Sequence, residues 1–393
     1  MGDRPVFVLA PDSFKESMTA KEACEAMERG IKRINPEITC IHVPMADGGE
    51  GTMQSLIDAT AGTVYTAVVR GPLGEKVTAS YGITGDGETG VVEMASASGL
   101  HLVPPEARNP LLTTSYGTGQ LIAACLDRGV RKLLIGIGGS ATNDGGAGLA
   151  QALGVRLLDA AGQELPPGGG ALSRLARIDR SGLDARLAAV TVEVACDVTN
   201  PLCGPLGASR VFGPQKGATP EMALALDDHL RHYAGVVQAE LGLDLMEVPG
   251  AGAAGGLGFG LMAFLGGRLA RGIDLVIAYS GLEEQVRQAD WVWTGEGSID
   301  AQTAYGKTPL GVALVAKKYG KPVIALAGRV GGDIDGLYSQ GIAAIFGIVD
   351  GASTLPDALA AGPANIERTA ANVVRLLETA RTGTGTVLDG GTV

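Results

Sequence analysis

The chain has 393 residues, 46% apolar, 19% charged and 4% aromatic, with a net charge of −11. That length exceeds what a single core usually serves, so two domains are expected. The acidic balance and scarce aromatics exclude nucleic acid and an anionic membrane as main partners, since both recruit basic faces and single strands also need stacking rings.

In chain order, Val6–Ala10 is an apolar run of buried-strand type, shorter than the apolar region of a secretory leader. Thr19 and Glu22 form a capping-box pattern, and Ala23, Ala26, Met27, Gly30, Ile31 and Ile34 then recur at helical spacing, predicting a helix over about 20–34. A second strand spans Ile38–Val43. Strands at Thr63–Arg70, Val77–Ile83 and Gly90–Met94 are joined by Gly-Pro and Gly-Asp-Gly turns, which is a meander. A helix over about 116–128, the strand Lys132–Ile137 and a helix over about 145–153 follow. Residues 159–186 read as a connecting excursion, and Val190–Cys196 as a strand. Helices are expected over 219–241 and 250–267, then the strand Trp291–Thr294, the helix Pro309–Tyr319 and the strands Val323–Ala327 and Ala343–Gly347. Ile366, Ala370, Val373, Val374 and Leu377 mark a last amphipathic helix, with a frayed tail from Thr382. The expected fold class is α/β. Strand–helix alternation of the doubly wound parallel type at both chain ends flanks a meander-like middle whose sheet is mixed.

The five cysteines, an odd number with no C-x-x-C, read as reduced thiols of a cytoplasmic protein, and no 18-residue apolar segment predicts a membrane span. The 61 glycines are not periodic; they gather after apolar runs, in loops that mix glycine with carboxylates and small hydroxyls. Such loops suit phosphoryl transfer: glycine lets backbone N–H groups approach an anion, and oxygen side chains hold Mg²⁺. Asp47-Gly48-Gly49-Glu50-Gly51-Thr52 offers two carboxylates for metal or base work, and equally reads as an acidic helix N-terminus. Gly136–Gly146 offers a nest for phosphates. Its Gly136-x-Gly138-x-x-Ala141 also fits a dinucleotide fingerprint loosely, with Asp159 at ribose distance but in a turn-like context. Ala301-x-x-x-x-Gly306-Lys307-Thr308 is a relaxed Walker-type pattern that places Lys307 at a helix start. Lys15, beside Ser13 and Ser17, and Arg70 are cations at strand ends that suit either an anion or the surface. Asp197 follows a strand and suits either catalysis or a turn.

Several of these blocks, with others, occur in an order that resembles the bacterial glycerate 2-kinase family. They are Ala10-Pro11-Asp12-Ser13-Phe14-Lys15-Glu16-Ser17, Pro44–Thr52, Gly138–Gly146, Cys196–Leu202, Phe212-Gly213-Pro214-Gln215-Lys216-Gly217 and Thr294–Asp300. The resemblance runs from about residue 5 to 380, and it implies two α/β domains: a Rossmann-like doubly wound parallel sheet built from both chain ends (1–70 and 283–393) and an inserted α/β domain with a mixed sheet (71–282). One departure is Glu16, where the family pattern has glycine. The resemblance implies transfer of the ATP γ-phosphate, with Mg²⁺, to the 2-hydroxyl of D-glycerate, giving 2-phosphoglycerate. For such a reaction, charge and position suggest that Asp47 or Asp197 would accept the hydroxyl proton and that Lys15 would stabilise charge. Glu50, Glu296 and Asp300 would hold Mg²⁺. Gly138, Gly139, Ser140, Thr142 and Lys307 would contact the nucleotide, and Ser13 and Arg70 the substrate. A kinase for another small hydroxy acid, a non-catalytic ligand-binding or regulatory protein on this fold, and a nicotinamide dehydrogenase resting on the Gly136 pattern remain as alternatives. The residues leave oligomeric state open, a homo-oligomer included.

Overall fold

The computed structural model describes residues 4–382; the tail expected to fray lies, past Thr382, outside them. Thirteen strands are present among the described residues: β1 (Val6–Leu9), β2 (Thr39–His42), β3 (Thr63–Arg70), β4 (Lys76–Ile83), β5 (Thr89–Glu93), β6 (Lys132–Gly136), β7 (Arg156–Leu158), β8 (Arg177–Asp179), β9 (Thr191–Ala195), β10 (Arg268–Ala270), β11 (Trp291–Ile299), β12 (Val323–Val330) and β13 (Ile342–Gly347). The chain divides into two compact units. One comprises the residues up to Asp47 and those from Ile277 on; the other is Gly48–Val276. No helix among the described residues is long and apolar enough to cross a membrane.

The first unit holds a five-stranded sheet in the order β13-β12-β11-β1-β2, with every pair parallel. Phe7 and Leu9 of β1 join Trp293, Ile324 and Leu326 in a core closed by Cys24, Met27 and Ile31 of the helix Ala20–Ile34 and by Ile366 and Val374 of the helix Gly362–Thr382. Val8, equally enclosed, points to the other face, as strand alternation requires. The capping box forms as the sequence predicts: Thr19 Oγ1 accepts the Glu22 N–H at 3.2 Å, and Glu22 Oε2 accepts the Thr19 N–H at 2.8 Å. Gly30 is where those two helices meet. A Cβ there would stand 2.3 Å from the Glu367 carbonyl oxygen and 2.8 Å from the Ala370 methyl.

The second unit holds a six-stranded sheet, β10-β9-β6-β5-β4-β3. β3, β4 and β5 pair antiparallel, the predicted meander, and β5, β6, β9 and β10 run parallel. The core collects Leu133 and Ile135 of β6, Val192 and Val194 of β9, and Tyr233, Phe259 and Phe264.

Three expectations shift. The first unit ends at Asp47, not near residue 70. β3 pairs with β4 along its whole length, Thr63↔Ile83 to Arg70↔Lys76, and so belongs to the second sheet. β11 does not stop at Thr294 but continues to Ile299, because Gly295 and Gly297 let neighbouring backbone lie close. A Cβ on Gly295 would come within 2.3 Å of the Leu326 carbonyl oxygen. The 159–186 excursion contains β8, which pairs antiparallel with β7.

Candidate active site

In the first unit the chain beyond β1 keeps running along β11: Ala10 donates its N–H to the Trp293 carbonyl at 2.7 Å and Asp12 to the Gly295 carbonyl at 2.8 Å. Asp12 is thereby delivered past the C-terminal end of β1, where parallel α/β sheets bind ligands. Its Oδ2 accepts the Thr308 hydroxyl at 2.5 Å, and its Oδ1 accepts the N–H and hydroxyl of Ser13 at 2.6 and 3.2 Å. Burial pushes the Asp12 carboxyl up to about 6; the Thr308 hydroxyl opposes the rise and the charge of Asp47 adds to it. Glu296, on β11, is 9% exposed. Burial raises it to about 7, against the Thr303 hydroxyl at 2.8 Å and the Lys307 ammonium at 3.7 Å, while Asp12 and Asp47 raise it further. Asp12, Asp47 and Glu296 are thus three acids that feel one another's charge.

The other predicted residues of this unit take definite places. Asp300 caps the short turn Ala301–Tyr305: its Oδ1 accepts the Gln302 N–H at 2.9 Å, and its own N–H donates to Thr303 Oγ1 at 3.2 Å. Thr303 therefore ties the Asp300 cap to Glu296. Lys307, expected on the nucleotide, has its ammonium 3.7 Å from Glu296 Oε1, and the hydroxyl of its Walker-type neighbour Thr308 donates to Asp12. Lys15 is exposed, on a tight loop closed by reciprocal Phe14 and Met18 backbone hydrogen bonds of 2.9 Å. Glu16 in that loop has φ +64°, the left-handed region that explains the family's glycine there.

The second unit contains a pocket of about 400 Å³ lined by Gly48, Gly138, Gly139, Ser140, Asp197 and Lys216, with Leu100, Ile137, Val198 and Phe212 as apolar walls. Gly139 has φ +71°. Lys216, 1% exposed, donates to Ser140 Oγ and to the Thr142 carbonyl oxygen, both at 2.7 Å. Burial pulls its ammonium down to about 7, with Asp144 acting the other way. Asp144 is fully buried. It accepts the N–H and hydroxyl of Ser115 and the N–H groups of Gly146 and Gly148, and burial raises its carboxyl. Asp197 lines the pocket and its Oδ1 accepts the Gly272 N–H at 2.9 Å.

Four expectations for this unit are revised. Thr142 does not line the pocket; it is fully buried and lends Lys216 its carbonyl. Arg70 lies over the Tyr116 ring at 4.2 Å and is not among the residues lining this pocket. Asp159 serves its own turn, accepting the Ala161 and Gln163 N–H groups at 2.9 Å. Glu50 is exposed and adds its charge to that of Glu93, whose Oε1 accepts the Met53 N–H at 2.9 Å. Among the described residues no group of three or more His, Cys, Asp and Glu side chains is arranged as a metal cage. Mg²⁺ is ordinarily held by one or two carboxylates with water and phosphate oxygens, and the crowded oxygens of Asp12 and Glu296 are the hard, anionic donors it takes.

Residues 7–378 match the model of the glycerate kinase family. The chain belongs to that family. This family member is an enzyme, a kinase, and the similarity extends over nearly all of it. It is 56% identical to a glycerate kinase of Bacillus subtilis (strain 168) over 375 residues, covering 95% of this chain and 98% of the relative. It is 53% identical to a glycerate 2-kinase of Escherichia coli (strain K12), covering 94% and 97%. A crystal structure described as a putative glycerate kinase 2 from Salmonella typhimurium LT2 matches with a TM-score of 0.90 at 50% identity, covering 97% of this chain and all of that one. Sequence reasoning did not single out Asp12, Thr303 and Thr308, which the structure joins to these carboxylates, or Lys216, which lines the pocket. Asp12 carried a readable signal, an acid directly after a buried strand. Lys216 carried none beyond its family block.

Proposed function

We propose that the chain transfers the γ-phosphate of ATP, in the presence of Mg²⁺, to the 2-hydroxyl of D-glycerate, giving 2-phosphoglycerate and ADP. The observation that carries this reading is the pair Asp12 and Glu296, whose carboxyls burial raises beside Lys307, with the charge of Asp47 adding to both rises. Such a set both accepts a proton and welcomes a cation.

Asp47 is the base in this reading, taking the 2-hydroxyl proton as the oxygen attacks phosphorus. Asp12 and Glu296 would hold Mg²⁺, which would supply charge neutralisation to the phosphate oxygens. Ser13 and Thr308 fix the Asp12 carboxylate so that little reorganisation is left to the reaction step. Lys15 stabilises the glycerate carboxylate or the transferring phosphoryl group. Gly138, Gly139 and Ser140 receive nucleotide phosphate in the second unit's pocket. Purified protein incubated with ATP, Mg²⁺ and D-glycerate, with products resolved by ³¹P NMR, tests the whole statement. A 2-phosphoglycerate signal is expected. A 3-phosphoglycerate signal would overturn the acceptor hydroxyl, and no phosphorylated glycerate from folded protein would overturn the reaction.

A further inference from the structure

Lys216 is an enclosed cation that also forms part of a pocket wall. An ammonium carries three N–H donors. Two are accounted for, by Ser140 Oγ and the Thr142 carbonyl, both neutral acceptors. Among the described residues no carboxylate stands at ion-pair distance from it. Asp144 acts on it only through space, its two oxygens already taken by Ser115, Gly146 and Gly148.

The other charged or titratable groups around this corner do not supply the missing counter-charge. Arg108 adds positive charge, donating to the Gln215 carbonyl oxygen at 3.4 Å. Tyr233 is fully buried and held protonated by burial and by Asp144. Arg210 points to solvent and Asp227. Cys196, whose thiol burial raises, and Asp197 line the same pocket, and Asp197 is committed to the Gly272 N–H. A buried charge without a partner is expensive, and proteins keep one where a ligand supplies the partner.

We propose that Lys216 is the cation that recognises a phosphate group of the nucleotide in this pocket, gripping it through its remaining N–H together with the Ser140 hydroxyl beside it. This rests on the reading of the glycine pocket as the kinase's phosphate site. It extends that reading from the loop to a residue on a separate segment. Burial holds free Lys216 near pH 7, and a bound phosphate returns its affinity for the proton. Binding is therefore accompanied by proton uptake above neutrality.

Calorimetric titration of the whole protein with MgATP, in buffers of different ionisation enthalpy, reads that uptake directly. At pH 8 it approaches about one proton per site, and at pH 6 it falls to near zero, as a group titrating at about 7 requires. Lys216→Met loses the uptake and binds MgATP at least about tenfold more weakly, the size of one charge-assisted hydrogen bond. Absence of uptake by the wild-type protein at pH 8 overturns the proposal without any variant. Folded Lys216→Met with unchanged affinity and uptake also overturns it, even where the ³¹P assay shows phosphorylated glycerate. Conversely, Lys216-dependent uptake in a protein that phosphorylates no glycerate would sink the glycerate reading and leave the phosphate site standing.

Discussion

Replacing Lys216 by Met also tests how the second unit carries a buried ammonium in the absence of ligand. The folded-state value falls from 10.5 to about 7, with burial as the main cause. The unfolded chain restores the ordinary value. Between those two pH values the unfolded state therefore binds a proton that the folded state lacks, and stability rises with pH. Below about pH 7 both states are protonated, and the full cost of enclosing the charge is present. Each pH unit within the window is worth about 1.4 kcal/mol. Allowing for flattening at its lower edge, roughly 2 kcal/mol returns between pH 7 and pH 9. Met carries no proton, so the variant lacks this gradient while sharing the rest of the protein's titrations. At pH 7 it should be the more stable protein, by about 1–4 kcal/mol, as when an apolar side chain of similar volume replaces a buried charge. Both tryptophans, Trp291 and Trp293, belong to the first unit, so their fluorescence does not report this unfolding. Hydrogen exchange of amides in β6 and β9, followed from pH 7 to 9, does. The stability difference should narrow by roughly 2 kcal/mol across that range. Parallel profiles for the two proteins would refute the claim that burial depresses this ammonium.

Three further outcomes are expected. Gly30→Ala forces a methyl against the Glu367 carbonyl and Ala370 and should destabilise the first unit by about 1–3 kcal/mol, whereas Gly235→Ala, in a helix with nothing within 4 Å, should stabilise by up to about 1 kcal/mol; melting curves that rank the pair the other way would contradict the packing at Gly30. Asp12→Asn removes one of three mutually repelling acids. It should leave the melting temperature unchanged or higher while lowering kcat by about a hundredfold or more, and turnover at the wild-type level would take Asp12 out of the site. Asp197→Asn keeps an oxygen to accept the Gly272 N–H, so its fold should persist. If Asp47 is the base, its kcat stays within about tenfold of wild type while Asp47→Asn loses far more, and the reverse ranking in steady-state assays would exchange the two roles.

The elements most legible in the sequence were those whose pattern and physics coincide. Apolar runs marked β1, β6 and β9, and the Thr19–Glu22 box marked the first helix to the residue. β11 was cut short because Gly295-Glu296-Gly297-Ser298 lacks the apolar or branched residues by which strands are recognised; its extension is set by neighbours that need the absent side chains. Asp47 and Glu296 were visible as acids after strands. Lys216 was invisible in kind, because nothing in Pro214-Gln215-Lys216-Gly217 distinguishes an enclosed lysine from the exposed lysines that are the rule. Glu16 shows the reverse case. The resemblance led to an expectation of glycine there, and the residue's positive φ supplies the physical reason.

The pairing of β1 with β11 has a consequence for how the protein is made. β1 and β2 emerge from the ribosome first, yet β11, the other parallel neighbour of β1, ends at Ile299. At about 5–20 residues per second, the N-terminal strands wait roughly 13–50 seconds for that neighbour. The whole of Gly48–Val276 is synthesised in the interval. The middle of the chain therefore reaches its structure first, while the apolar leading segment lacks β11, one of the two neighbours of β1, and stays open to capture by a chaperone. A nascent chain halted near residue 285 should hold a protease-resistant core beginning close to Gly48, with everything before it cleavable.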